Sequence, residues 1–168
     1  MRLISNANSV SEPSQPAATL PDQMRVLGLD LGSKRIGLAV SDPDAHIAFP
    51  AGTLPSAGRK ADVAAVCELI AEREIGSVVV GLPRHMDGRR GPEAIGAEKF
   101  AAALRRASGV PVETLDERWT SLEAERALLD QGKKPSRNRA QVDEIAAAIL
   151  LRTYLELSRS APGSGSED

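Results

Sequence analysis

The sequence predicts an α/β domain with a mixed central sheet, three antiparallel N-terminal strands and flanking helices. Two observations carry that expectation. Extended segments follow one another between residues 25 and 54, the first two joined by a Gly-Ser turn. Beyond residue 59, helical periodicities alternate with short apolar runs, giving the order βββαβαβαα with no internal repeat.

Residues 25–31, RVLGLDL, alternate with period two: Leu27, Leu29 and Leu31 face one side, Val26, Gly28 and Asp30 the other. RIGLAVSD is the returning strand of a hairpin. AHIAFPAGTL is a third strand, which Pro50 confines to an edge or a break because proline cannot donate to a ladder. Residues 59–74 form an amphipathic helix with Val63, Val66, Ile70 and Glu74 spaced along it. SVVVGLP, at 77–83, is a β-branched run expected to be buried on both faces. The loop RHMDGRRG turns at Asp87-Gly88, and Pro92 suits the first position of a helix reaching about Ala107. VPVETLD is the last strand. Thr120-x-x-Glu123 is a capping box opening the helix SLEAERALLDQ, which Gly132 ends. After the basic loop QGKKPSRNR, Asn138 can cap a final helix with Val142, Ile145, Ala146 and Ile149 on one face.

The chain of 168 residues accommodates one domain with tails. Residues 1–23 and 158–168 are rich in Ser, Pro, Gly and polar residues and read as disordered, which leaves 24–157 as the folded part. No apolar run approaches the roughly 20 residues that cross a bilayer, and the N-terminus lacks the apolar segment of a signal peptide. The single cysteine, Cys67, excludes an intramolecular disulfide and favours a cytoplasmic setting; its place on the Val63, Val66, Ile70 stripe is that of a core residue. Net charge is −2, so no overall basic character points to nucleic acid. Phosphate can still be bound where bases cluster, and two clusters exist: Arg84, His85, Arg89 and Arg90, and then Lys133, Lys134, Arg137 and Arg139. The second fits a phosphate grip and a solvated loop equally well. Aromatic residues make up 2% of the chain, which argues against base stacking as the main binding mode.

Three acidic positions stand out. Asp30 lies within a strand pattern between Gly28 and Gly32, where a carboxylate is costly unless a cation compensates it. Glu117, in Asp116-Glu117-Arg118, follows a strand, where sites form in α/β sheets. Asp143 is early on a helix that is otherwise apolar inward. Taken singly, each has a plain structural reading: a turn residue, a solvated charge run and a helix-dipole partner. As a set of hard oxygen donors they select Mg²⁺ or Mn²⁺ over zinc, since His46 and His85 have no zinc spacing. Neither a P-loop nor a G-x-S-x-G elbow is present.

Four blocks in order, GLDLGSKRIGLAVSD, VVVGLPRHMDGRRGPEA, LDERWTSLEAE and VDEIAAAILLRTYL, resemble the YqgF/RuvX family of pre-16S ribosomal RNA nucleases, related in fold to the RuvC Holliday-junction resolvases. Together they run from about residue 26 to 155. The resemblance implies an RNase H-like fold and a nuclease, a hydrolase of phosphodiester bonds, that processes precursor rRNA in ribosome biogenesis with two divalent ions. It implies that Asp30, Glu117 and Asp143 are catalytic and hold the metal. Lys34, Arg118 and Thr120, with Arg84, Lys133, Lys134, Arg137 and Arg139, are then expected to bind substrate. The loop after Gly81-Leu82-Pro83 is more basic than the family pattern, and Trp119 stands where smaller residues are usual, so substrate preference is open. The substrate is an rRNA precursor or branched DNA, and the protein a monomer or homodimer; a junction resolvase needs two sites related by a two-fold axis. Two other classes compete. The first block also resembles the phosphate hairpin of actin-like ATPases and sugar kinases, which need two such domains. A non-catalytic nucleic-acid-binding factor would bind without cutting.

Overall fold

The computed structural model describes residues 24–85, 87–119 and 139–161. Five strands form one sheet in the order β3-β2-β1-β4-β5. They are β1 Arg25–Leu31, β2 Arg35–Ser41, β3 Ala48–Pro55, β4 Ile75–Leu82 and β5 Val112–Asp116. The first three pair antiparallel, while β4 runs parallel to both β1 and β5, so the mixed sheet expected from the sequence is the one observed. Helix α1, Arg59–Glu72, and helix α2, Pro92–Ser108, connect the parallel strands. The last helix, α3, spans Arg139–Ser160. The expected helix at 121–131 lies outside the described residues.

Alternation along each strand divides the core into two layers. Leu27 and Leu29 of β1, Ile36 and Leu38 of β2, and Val78 and Val80 of β4 pack with α1 and α2. Burying each such leucine or isoleucine contributes about 1.5–3 kcal/mol relative to exposure. The opposite face carries Val26, Ala39 and Val79 against Ala147, Leu151 and Leu155 of α3. Small residues on that face bring α3 close. A Cβ on Gly28 would lie 2.9 Å from the Leu151 Cβ, and one on Gly37 only 2.1 Å from the Asp143 carbonyl oxygen.

Several boundaries differ from the sequence reading. Helix α1 stops at Glu72, and Glu74 takes a left-handed φ of 53°, because the chain must reverse within two residues to enter β4 at Ile75. Helix α3 continues to Ser160, past Leu157, with Ser158 and Ser160 hydroxyls donating to carbonyls one turn back. Pro50 does sit on the edge strand, opposite Ala39 and beside a register irregularity in the β2–β3 pairing. No helix among the described residues is long and apolar enough to cross a membrane.

Candidate active site

The site begins with the register of the hairpin. Asp30 of the central strand pairs directly with Gly37 of β2, so both positions face α3. The backbone of Asp143 lies over Gly37, and this brings the first turns of α3 beside Asp30. From the other side, Leu115 of β5 packs under α3, and Glu117 opens the single 3-10 turn that follows the strand. Gly81 of β4 makes room for it, since a Cβ there would lie 2.8 Å from Glu117 Oε1 and 3.2 Å from Leu150 Cδ2. Asp30, Glu117 and Asp143 thus line a single cavity of about 520 Å³. Asp30 is 5% exposed, a degree of burial that a carboxylate tolerates only with compensating charge or hydrogen bonds.

Lys34, Arg35 and Arg139 line the same cavity, as does a fourth carboxylate, Glu93, from the first turn of α2. Arg35 Nε donates to Asp143 Oδ2 at 3.1 Å, joining residues 108 apart in sequence. Of the expected substrate-binding residues, Lys34 and Arg139 are therefore in the cavity. Arg84 and Arg118 are not among its lining residues; they flank it next to Pro83 and Glu117 and converge on Asp116. Arg118 donates through Nη2 at 2.7 Å and through its backbone N–H at 2.9 Å. The Arg84 Nε, 3.7 Å from Asp116, makes an ion pair without a hydrogen bond. The Arg118 side-chain hydrogen bond holds the Asp116 carboxyl below its ordinary range, and the same bond raises the Arg118 guanidinium. Thr120, Lys133, Lys134 and Arg137 lie outside the described residues.

Sequence reasoning missed Arg35 and Glu93. The first had a usable signal, because positions 35, 37 and 39 share the face of Asp30 once the hairpin register is set. Glu93 had none, since nothing local shows where α2 begins relative to the sheet. A second acidic grouping, Asp42, Asp44 and His46, has donor atoms within 4.8 Å of one another at the β2–β3 turn. The Asp42 carboxylate accepts the backbone N–H groups of His46 and Ile47, each at 2.7 Å, and the Ile47 bond leads in lowering its pKa. Those bonds belong to a side-chain-closed turn and account for the grouping.

A family model described as RuvX, Holliday junction resolvase, matches residues 24–157. The chain belongs to the RuvX family. Relatives include a protein of Chloroflexus aurantiacus, 44% identical over 84% of this chain and 93% of its own length, and one of Anaeromyxobacter sp. strain Fw109-5, 46% identical over 79% and 97%. Both are named as candidate pre-16S rRNA nucleases. Among solved structures, Thermus thermophilus RuvC in complex with a Holliday junction superposes with a TM-score of 0.55 at 19% identity, covering 80% of this chain and 96% of that one. A second Thermus thermophilus RuvC structure gives 0.51 at 20% identity, with 80% and 97% covered. The RuvX chain described here therefore has the RuvC-like, RNase H-type fold expected from its sequence.

Proposed function

We propose that the protein is a metal-dependent endonuclease that hydrolyses phosphodiester bonds in precursor 16S rRNA, working in the cytoplasm during ribosome biogenesis. The observation that carries the reading is the meeting of Asp30, Glu117 and Asp143, from three remote segments, in one cavity. The names of the relatives supply the substrate class.

The donor set fits divalent cations. Every candidate ligand is a carboxylate oxygen, and no Cys or His lines the cavity among the described residues, which favours Mg²⁺ or Mn²⁺ over zinc. Asp30, Glu117 and Asp143 would hold two such ions, whose chemistry is to neutralise phosphate charge and lower the pKa of an attacking water. The chain itself does the positioning. Burial of Asp30 limits competing solvent at the sheet end. Lys34 and Arg139, which line the cavity with the carboxylates, bind nonbridging phosphate oxygens and stabilise the charge that develops on them. Arg84 and Arg118, held beside the cavity by Asp116, grip flanking phosphates.

The test is a cleavage panel of rRNA precursor and four-way DNA junctions with Mn²⁺ or Mg²⁺, with melting in EDTA and in Mn²⁺ followed in parallel. The parent should cut the precursor only with cation and melt higher in Mn²⁺. Asp30→Asn should keep the fold, melt at or above the parent in EDTA because carboxylate repulsion is relieved, and lose both cleavage and the Mn²⁺ shift. Cleavage that survives in Asp30→Asn would overturn the reading. Cutting confined to DNA junctions would redirect it to a resolvase, and binding without cutting to a non-catalytic factor.

A further inference from the structure

Arg35 opens β2 two residues before Gly37, so both face α3. Each meets Asp143 in a different way. Gly37 lies beneath its backbone, close enough that a Cβ would overlap the carbonyl oxygen at 2.1 Å. Arg35 reaches its carboxylate, donating from Nε to Oδ2 at 3.1 Å, with both side chains about 30% exposed. One strand thus fixes the position of one helical residue at its backbone and the rotation of its carboxylate at its tip. Arg35 also lines the cavity that Asp30 and Glu117 share with Asp143.

We infer that Arg35 is a positioning residue, which sets the orientation in which Asp143 presents its carboxylate to a divalent cation. The inference rests on the reading of this cavity as a cation site. Its physical basis is that carboxylate ligands are themselves held by hydrogen bonds, and losing such a partner typically weakens metal affinity by about 10- to 100-fold. A guanidinium in the cavity has a second, opposite effect, since its positive charge repels a cation. Positioning and charge therefore predict different signs, and variants that separate them decide the matter.

Arg35→Lys retains the charge but replaces a planar fork by a point charge that does not fix carboxylate rotation. Mn²⁺ binding to the full chain would be titrated calorimetrically, with the Mn²⁺-induced melting shift as a second readout that needs no substrate. Arg35→Lys should bind Mn²⁺ about tenfold more weakly than the parent, with its EDTA melting point little changed. Arg35→Gln should bind no more tightly than the parent. In an Asp143→Asn background either change should have little further effect, because the coupled partner is gone. An Arg35→Lys protein with parental Mn²⁺ affinity, or an Arg35→Gln protein that binds more tightly, would show that Arg35 contributes charge alone and would overturn the inference. Absence of any Mn²⁺ effect on the parent would instead overturn the cation reading of the cavity, and the role of Arg35 with it. If Arg35→Gln does not fold, the lysine variant decides.

Discussion

Gly37→Ala is the sharpest perturbation of this structure, because one methyl group tests the packing and the site together. Its Cβ would lie 2.1 Å from the Asp143 carbonyl oxygen, 2.6 Å from the carbonyl carbon and 3.4 Å from the Cα. These are backbone atoms and cannot rotate away, so the start of α3 must retreat by more than an ångström or β2 must buckle. Overpacking of this kind costs about 1–3 kcal/mol, against a total stability of about 5–15 kcal/mol for a domain. The melting point should fall by roughly 4–12 °C. The retreat also carries Asp143 away from Asp30, which pairs with Gly37 across the ladder. A misplacement of about 1 Å at a reacting centre can lower the rate roughly 100-fold. Gly96→Ala is the matched control, since that glycine is inside α2 with nothing within 4 Å of an added Cβ. It should stabilise the protein by about 0.5–1 kcal/mol through helix propensity and leave cleavage unchanged. Melting curves and Mn²⁺-dependent cleavage on the three proteins make the comparison. A Gly37→Ala protein that melts and cuts like the parent would refute the placement of α3 over β2.

Asp116, whose pKa is lowered chiefly by its hydrogen bond from Arg118, stabilises the fold above the unfolded carboxylate value. That contribution disappears as pH falls through the lower folded value, so the melting points of parent and Asp116→Asn should differ at neutral pH and converge below about pH 4; a constant gap would count against the pairing. Replacing Lys133, Lys134, Arg137 and Arg139 by alanine should weaken nucleic-acid binding and flatten its salt dependence. An unchanged slope in a binding titration would leave Lys133, Lys134 and Arg137 as solvated charges and would contradict the phosphate contact proposed for Arg139. Deleting residues 1–23 and 162–168 should leave the melting point within a degree or two of the parent, and a loss of cooperativity would place the domain boundary elsewhere.

The sheet was legible because period-two patterns are local. RVLGLDL assigns its own two faces, and the structure sends Leu27 and Leu29 to one layer and Val26 to the other. Val78 and Val80 likewise part from Val79, as a run buried on both faces requires. Boundaries failed where a tertiary contact decided them. The run SVVVGLP hid the true start of β4, because Gly76 weakens any strand signal, yet Met24 occupies the space its side chain would need. Pro111 likewise takes no part in β5 as a donor, although its carbonyl accepts the Val78 N–H at 2.9 Å. Pairings across the chain left no local trace. The Arg35–Asp143 bond and the Gly52 N–H donating to Glu144 Oε2 at 2.7 Å span 108 and 92 positions.

The acidic residues were individually ambiguous in the sequence because what joins them is parity, and parity becomes meaningful only when register is known. Asp30 shares its face with Val26 and Gly28, and Arg35 with Gly37 and Ala39, while Glu117 opens the turn that follows β5. Strands β1, β2 and β4 each also carry a glycine on this face, Gly28 and Gly37 against α3 and Gly81 against Glu117. The opposite face, under α1 and α2, is filled by branched aliphatic residues. That asymmetry has a physical meaning. A sheet face of Val, Ile and Leu holds a helix at the distance its side chains dictate, whereas glycine lets backbone approach backbone, and here it admits Asp143 and the Glu117 carboxylate to the end of the central strand. The packing that closes α3 on the sheet is the same packing that assembles the carboxylates. Substitutions on this face should therefore couple stability to cation binding, while substitutions of equal cost in the α1–α2 layer should change stability alone.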